Sequence, residues 1–425
     1  MNTSYSLKCL GSGEVFKDTD LQLESGKSEK PAFLRAVYDE KQLNPRPDSA
    51  GLFKFASWLP VNREIKNSSA PVTYKSSGLA GKLGLDNLYI TFSGYWPKKR
   101  AGMVTGTFKE CEAYSVCSRL PENFSDVLVV ASAGNTARAF IHVCSKNNIP
   151  VAVVVPERNL GSIWADHDVN PCVRVIASGG NSDYFDAISL SRTVCSLPGF
   201  VPEGGAKNVA RRDGMSTTVL SAVTEIGSIP EYYFQAVGSG TGAIAAWEAN
   251  LRLLGDGRFG DTKMKLMVSQ NAPFLVLYDS WKQGSRDLVE ITPDRARDLS
   301  DEIDAKVLSN RVPPYSVIGG MYDALAYSGG SVFSVDNKEA ANAGDLFKET
   351  EGIDLAPAAK VAIASLQQAV KQGEVSRESV IMVNVTGGGY EKIREEGNIR
   401  LVEPSIVVDP NADNGSVKAA IESIF

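Results

Sequence analysis

Histidine is almost absent: His142 and His167 are the only two in 425 residues. A metal site built on several histidines is therefore excluded, as is a Ser-His-Asp triad unless one of these two serves. His142, among Phe140, Ile141 and Val143 on a predicted helix, reads as structural, and His167, in Asp166-His167-Asp168, reads as a solvated loop residue. The chemistry is expected not to depend on imidazole. The six cysteines are scattered, with no Cys-x-x-Cys pair and no secreted-type framework, so reduced and mostly buried thiols are expected. No apolar run reaches the roughly 18 residues that span a bilayer. Met1-Asn2-Thr3-Ser4-Tyr5 is not a charged n-region followed by an apolar stretch, so a cytoplasmic location without a membrane partner is expected. With a net charge of -6 and no basic stripe interleaved with aromatics, nucleic acid is not an expected partner. Repeats and low-complexity segments are also missing.

What is present is an ordinary globular composition, 43% apolar and 22% charged. The length suggests roughly two or three domains. Residues 1–84 read as an N-terminal appendage and an irregular, proline-punctuated segment draped over a domain. From Leu85 the pattern becomes strand, glycine turn, helix, repeated. Val127 to Ala131, Pro150 to Pro156, Cys172 to Ala177, Tyr232 to Val237, Met264 to Ser269 and Val380 to Val385 read as buried strands. Helices are predicted over Ala137 to Asn147, Ser182 to Leu197, Met215 to Ile226, Ile244 to Leu254, Lys338 to Glu349 and Ala356 to Gln372. Buried strands alternating with helices predict an α/β protein with mostly parallel sheets flanked by helices. A smaller domain is expected over 85–225 and a larger one over 226–425, completed by part of the N-terminal segment.

Three turns and one lysine carry the chemistry. Lys109, in Thr105-Gly106-Thr107-Phe108-Lys109-Glu110, is placed in the first turn of a predicted helix, where the dipole is positive. Taken alone it is a surface lysine like most; taken with the turns it reads as an amine kept reactive to hold an aldehyde cofactor as a Schiff base. Gly238-Ser239-Gly240-Thr241-Gly242, between a strand and a helix, makes a cradle of N–H groups for a phosphate. Its first rival is a dinucleotide site, since Gly238-x-Gly240-x-x-Ala243 fits that pattern. The next strand ends in Val268-Ser269-Gln270-Asn271 without a carboxylate for a ribose, so a phosphate monoester is favoured over NAD. Ser132-Ala133-Gly134-Asn135-Thr136 follows a strand and opens a helix, which suits either a substrate carboxylate or a plain N-cap. Thr386, before Gly387-Gly388-Gly389, offers a neutral hydroxyl or closes a glycine turn.

Together these segments resemble the fold type II (tryptophan synthase β-like) pyridoxal 5'-phosphate enzymes, and their order and spacing resemble threonine synthase. The closer likeness is to the cysteate synthases, archaeal paralogues that serve coenzyme M biosynthesis. Gly94-Tyr95-Trp96-Pro97, Phe108 to Tyr114, Ala131 to Arg138, Gly205 to Met215 and Gln235 to Ala243 carry it, from about Leu7 to Gly389. The resemblance implies two domains with pyridoxal phosphate in the cleft between them. Lys109 would anchor the cofactor and act as general base, Asn135 would bond its 3′ oxygen, Gly238, Ser239, Gly240, Thr241 and Gly242 would hold its phosphate, and Thr386 would meet the ring nitrogen. The implied reaction joins O-phospho-L-serine and sulfite into L-cysteate and phosphate, with threonine synthesis or sulfide-dependent cysteine formation as the alternatives. Lys109 is followed by Glu110-Cys111 where threonine synthases usually have Asp-Arg, and Cys9 lacks the partner cysteines that hold zinc in some of them. Both argue against threonine synthesis and against a metal. The reactants are anionic, so Ser132, Ala133, Thr136, Arg138, Lys207, Arg211 and Arg212 are candidates for binding them. Small anionic substrates and a homo-oligomer are the expected partners.

Overall fold

The computed structural model describes residues 3–19, 21–49, 51–132, 134–397, 399–409 and 412–425. Apolar runs with little polar alternation bury both faces of a strand, and here they build two parallel-rich sheets. The larger sheet has six strands in the spatial order Ser331–Val335, Lys265–Asn271, Tyr232–Ala236, Val380–Val385, Asn87–Phe92, Val72–Lys75. Its neighbours are parallel except for the edge pair Val72–Lys75 and Asn87–Phe92, which is antiparallel. The smaller sheet is parallel throughout, in the order Phe200–Pro202, Val127–Ala131, Val151–Pro156, Val173–Ser178, Ile406–Val408.

Successive side chains point to opposite faces of a strand, so each sheet has two cores. In the larger lobe Tyr233 and Met382 face one core while Phe234, Ile381 and Val383 face the other. In the smaller lobe Val151, Val153 and Val155 are divided in the same way from Ala152 and Val154. The N-terminal strands Tyr5–Cys9, Val15–Phe16 and Leu34–Tyr38 form an antiparallel sheet whose Leu7, Cys9 and Leu34 pack into the larger lobe. All six cysteines are free thiols, four of them buried. Among the described residues no helix is long and apolar enough to cross a membrane.

Two strands cross the expected domain limits. Asn87–Phe92, expected in the smaller domain, lies inside the larger sheet, and Ile406–Val408, expected in the larger domain, closes an edge of the smaller one. Strand pairing over such sequence distances leaves no local trace in composition. Four helices matter for the site: α1 (Lys109–Arg119), α2 (Asn135–Asn147), α3 (Val209–Ile226) and α4 (Thr241–Asp256). Helix α3 starts earlier than its apolar pattern suggests, because Asn208 caps it by accepting from the Ala210 N–H and buried ion pairs make room for Arg211 and Arg212.

Helices α1 and α3 cross at Gly214. A Cβ there would stand 2.2 Å from the Cys111 carbonyl oxygen and 2.7 Å from Ser115 Cβ, backbone and core that cannot move aside. The contact fixes the helix that begins with Lys109 against the larger lobe. Gly214→Ala is therefore expected to cost at least about 1–3 kcal/mol. A urea midpoint equal to wild type would show that the helices do not approach this closely.

Candidate active site

A cleft of about 400 Å³ opens where the C-terminal ends of the two sheets' strands face each other, and Lys109, Asn135, the 238–242 turn and Thr386 all line it. In open parallel sheets this is where ligands bind. A second cavity of about 360 Å³, lined by His167, Asp168, Arg174 and Arg400, lies on the smaller lobe away from Lys109 and has no glycine turn.

Lys109 is the first residue of α1, and its loop is tied to the turn that follows Val380–Val385. The Phe108 N–H donates to the Thr386 carbonyl at 3.0 Å, and the Gly388 N–H donates to the Gly106 carbonyl at 3.1 Å. Gly106 adopts φ +70°, and a Cβ on it would come within 2.7 Å of the Tyr390 ring, so only glycine fits there. Glu110 is buried, and one of its carboxylate oxygens accepts both the Thr105 N–H (2.7 Å) and the Thr105 hydroxyl (2.8 Å). That residue therefore braces the loop and is not free to act in the cleft.

The Lys109 Nζ lies 3.1 Å from Glu112 Oε2. The other Glu112 oxygen accepts the Thr136 hydroxyl at 2.7 Å and stands 3.2 Å from an Arg211 nitrogen, while Arg211 also clamps Glu203. Burial pushes the Lys109 ammonium below its ordinary lysine value, the Glu112 carboxylate opposes that shift and the Arg211 guanidinium adds to it. Arg211 is held above its ordinary value by Glu112 and Glu203, which outweigh its burial. Glu112 is fully buried against Lys109, a contact that sequence reading missed. Its signal was an acid three positions after the lysine, on the same helix face.

Asn135 opens α2. Its Oδ1 accepts from Arg138 at 2.6 Å, which leaves the amide N–H₂ to face the cleft as donor. Arg138 also donates to the Ser162 carbonyl and the Tyr390 hydroxyl, and its guanidinium lies over the Trp164 ring at 4.9 Å and the Tyr390 ring at 5.8 Å. It is a brace on Asn135 and lies outside the cleft lining. The Ser132 hydroxyl accepts the N–H groups of Gly134 and Ala137, as the capping reading expects, while still lining the cleft. Ala133 lies outside the described residues.

The cradle 238–242 precedes α4, whose first N–H groups have no acceptor within the helix. Gly240 has φ +74°, a Cβ on Gly238 would meet the Val307 carbonyl oxygen at 2.8 Å, and one on Gly242 would meet the Gln235 amide at 2.8 Å. The Ser239 and Thr241 hydroxyls share a 2.8 Å hydrogen bond at its rim. Bare backbone with hydroxyls at a helix N-terminus suits a phosphate.

Besides Arg138, two more of the basic candidates are placed outside the cleft. Lys207 is half exposed and paired with Glu24 on the surface. Arg212 is fully buried, bonded to Glu248 at 2.9 Å and to the carbonyls of Ala206 and Leu34, so it holds the core together. Arg158, not singled out from the sequence, lines the cleft and is exposed. It follows the C-terminal end of Val151–Pro156, and that position was its available signal.

Residues 75–387 match the family described as pyridoxal-phosphate dependent enzyme. The cysteate synthase of Methanosarcina acetivorans is 46% identical over 406 residues, 95% of this chain and 96% of the relative. That of Methanoculleus marisnigri is 46% identical over 424 residues, 99% of this chain and 97% of the relative. Among solved structures, maize serine racemase has a TM-score of 0.57 at 14% identity, covering 76% of this chain and 92% of its own. An L-serine ammonia-lyase from Rhizomucor miehei has a TM-score of 0.55 at 16% identity, covering 77% and 99%. These two share the fold.

Glu112→Gln keeps the side chain's shape but removes the main anion that raises the Lys109 pKa, leaving burial and Arg211 opposed only by the weaker pull of Glu203. The pH midpoint for reductive alkylation of Lys109 by a small aldehyde, read by peptide mass spectrometry, is expected below that of an ordinary lysine and lower again in Glu112→Gln. A midpoint that rises in the variant would show that Glu112 does not govern this amine.

Proposed function

The chain belongs to the pyridoxal-phosphate dependent enzyme family, and from that premise we propose that it replaces the phosphate of O-phospho-L-serine with sulfite. The products are L-cysteate and inorganic phosphate, a step that serves coenzyme M biosynthesis. What carries this reading is the meeting of a lysine whose pKa is lowered, a side-chain-free phosphate cradle and a neutral threonine in one cleft. Likeness to the cysteate synthases along nearly the whole chain supports the choice of reaction.

The residues present fit pyridoxal 5'-phosphate. Lys109 would hold its aldehyde carbon, Gly238, Ser239, Gly240, Thr241 and Gly242 its phosphate, Asn135 its 3′ oxygen and Thr386 its ring nitrogen. When bound, the cofactor supplies an electron sink that acidifies the substrate's Cα proton, and a ring nitrogen beside a neutral hydroxyl favours departure of a Cβ substituent. Lys109, with its lowered pKa, takes that proton on Nζ, and Glu112 holds the resulting ammonium in place. The N-terminus of α2 with Ser132 and Thr136 receives the substrate carboxylate. Arg158, exposed at the mouth of the cleft, attracts the phosphate and sulfite despite the acidic surface, while Arg211 deeper in the cleft is shared between Glu112 and Glu203. Arg138 keeps Asn135 turned toward the cofactor.

Reconstituted protein given O-phospho-L-serine and sulfite is expected to form cysteate and phosphate in equal amounts, with no turnover in Lys109→Ala. Product formation from sulfide alone, or threonine from a phosphohomoserine substrate alone, would replace the proposed reaction with another of the same fold. Arg138→Met removes a charge-assisted hydrogen bond of about 1.5 kcal/mol or more, roughly tenfold in affinity. Equilibrium dialysis should find cofactor retention weakened by that factor, with partial rescue in Arg138→Lys. Unchanged retention in Arg138→Met would remove its positioning role.

A further inference from the structure

The only two histidines of the chain meet each other. His142, on α2, and His167, beyond the strand Trp164–Ala165, have ring centroids 5.5 Å apart at 79°, and Asp166 stands between them. His167 is therefore not a solvated loop residue: its side chain is only 14% exposed. Asp166 Oδ1 lies 2.7 Å from His167 Nδ1 and 3.5 Å from His142 Nδ1, and one ligand atom from each of the three residues lies within 4.8 Å of the other two. His142 is 6% exposed, and among the described residues its Nδ1 has no hydrogen-bond partner although it points at this carboxylate.

From this convergence we propose a divalent metal site made of His142 Nδ1, Asp166 Oδ1 and His167 Nδ1, of the zinc type with nitrogen and oxygen ligands. Counting histidines excluded a site of several imidazoles, but two imidazoles with a carboxylate are a complete set of three protein ligands. Tetrahedral ligation at about 2.0–2.1 Å separates neighbouring ligand atoms by roughly 3.3 Å, so the 3.5 Å pair already fits, the 2.7 Å pair opens by several tenths of an ångström, and the two imidazole nitrogens, within 4.8 Å of each other, draw together on the ion. The outer ring nitrogen is also provided for. His167 Nε2 lies 2.9 Å from Ser145 Oγ, and the tautomer that donates there leaves Nδ1 bare for the metal. Ser145 Oγ is itself fixed by the Asn170 N–H at 2.9 Å. Asp166 is 30% exposed on its side chain, so water can fill the fourth position.

None of the three residues lines the cofactor cleft, and the ion's role is to fasten. It joins α2, whose first residue is Asn135, to the segment that carries Trp164 under the Arg138 guanidinium. Metal at this point stiffens the wall of the cleft without entering it. The test uses full-length holoenzyme stripped with a chelator and freed of phosphate, titrated with Zn²⁺ by calorimetry and with Co²⁺ by visible absorption. One ion per chain is expected, with a cobalt spectrum free of thiolate charge transfer and affinity at least tenfold weaker in Asp166→Asn and in His167→Gln. Circular dichroism and the cofactor's absorption band, unchanged in both variants, establish that they are folded. Failure of wild type to take up a stoichiometric ion, thiolate bands in the cobalt complex, or equal affinity in the folded variants would each overturn the site.

Discussion

Two backbone hydrogen bonds, Phe108 to Thr386 and Gly388 to Gly106, hold the reactive amine and the glycine turn of a distant strand in one register. The loop before α1 and the end of Val380–Val385 are separated by most of the chain, yet neither can shift without the other. A short antiparallel bridge between Thr107 and Gly387 completes the joint. Any side chain at Gly387 would enter it, since a Cβ there would stand 2.6 Å from the Gly106 carbonyl oxygen. The distance between an amine and whatever it must reach is thus set by main chain, which is far stiffer than a side-chain contact.

Electrostatics inside the molecule run against its overall charge. Around the cleft, Lys109, Glu112, Arg211 and Glu203 alternate in sign, so burying these ions leaves little uncompensated charge. The arrangement also keeps Arg211 from being spent on one partner, because it divides its donors between two carboxylates. Deeper in the larger lobe Arg35 and Arg212 share Glu248 in the same way, there to join the N-terminal sheet to α3 and α4.

Much of this was legible in the sequence wherever the signal was local. A strand followed by glycines and then by a helix announces its geometry within ten or so residues, which is why Lys109, Asn135, the 238–242 turn and Thr386 stand out in the sequence and meet in one cleft in the fold. The misses are long-range. Arg211 and Arg212 are neighbours in sequence, but about 100° apart around a helix, so one reaches the cleft while the other enters the core. Glu112 reads as an ordinary surface acid until Thr136 and Arg211 close over it. The pairing of His142 with His167 depends on how α2 lies against the Trp164 strand, and no periodicity encodes that.

The smaller sheet is closed at its edge by Ile406–Val408, and the larger one needs Val380–Val385 at its centre. Both sheets are therefore completed by segments far along the chain from the strands that they join. Without Ile406–Val408, the strand Val173–Ser178 presents an open, hydrogen-bond-hungry edge. A released chain cut just before 406 would keep every strand of the larger sheet and leave the edge of the smaller one open to pairing with another chain.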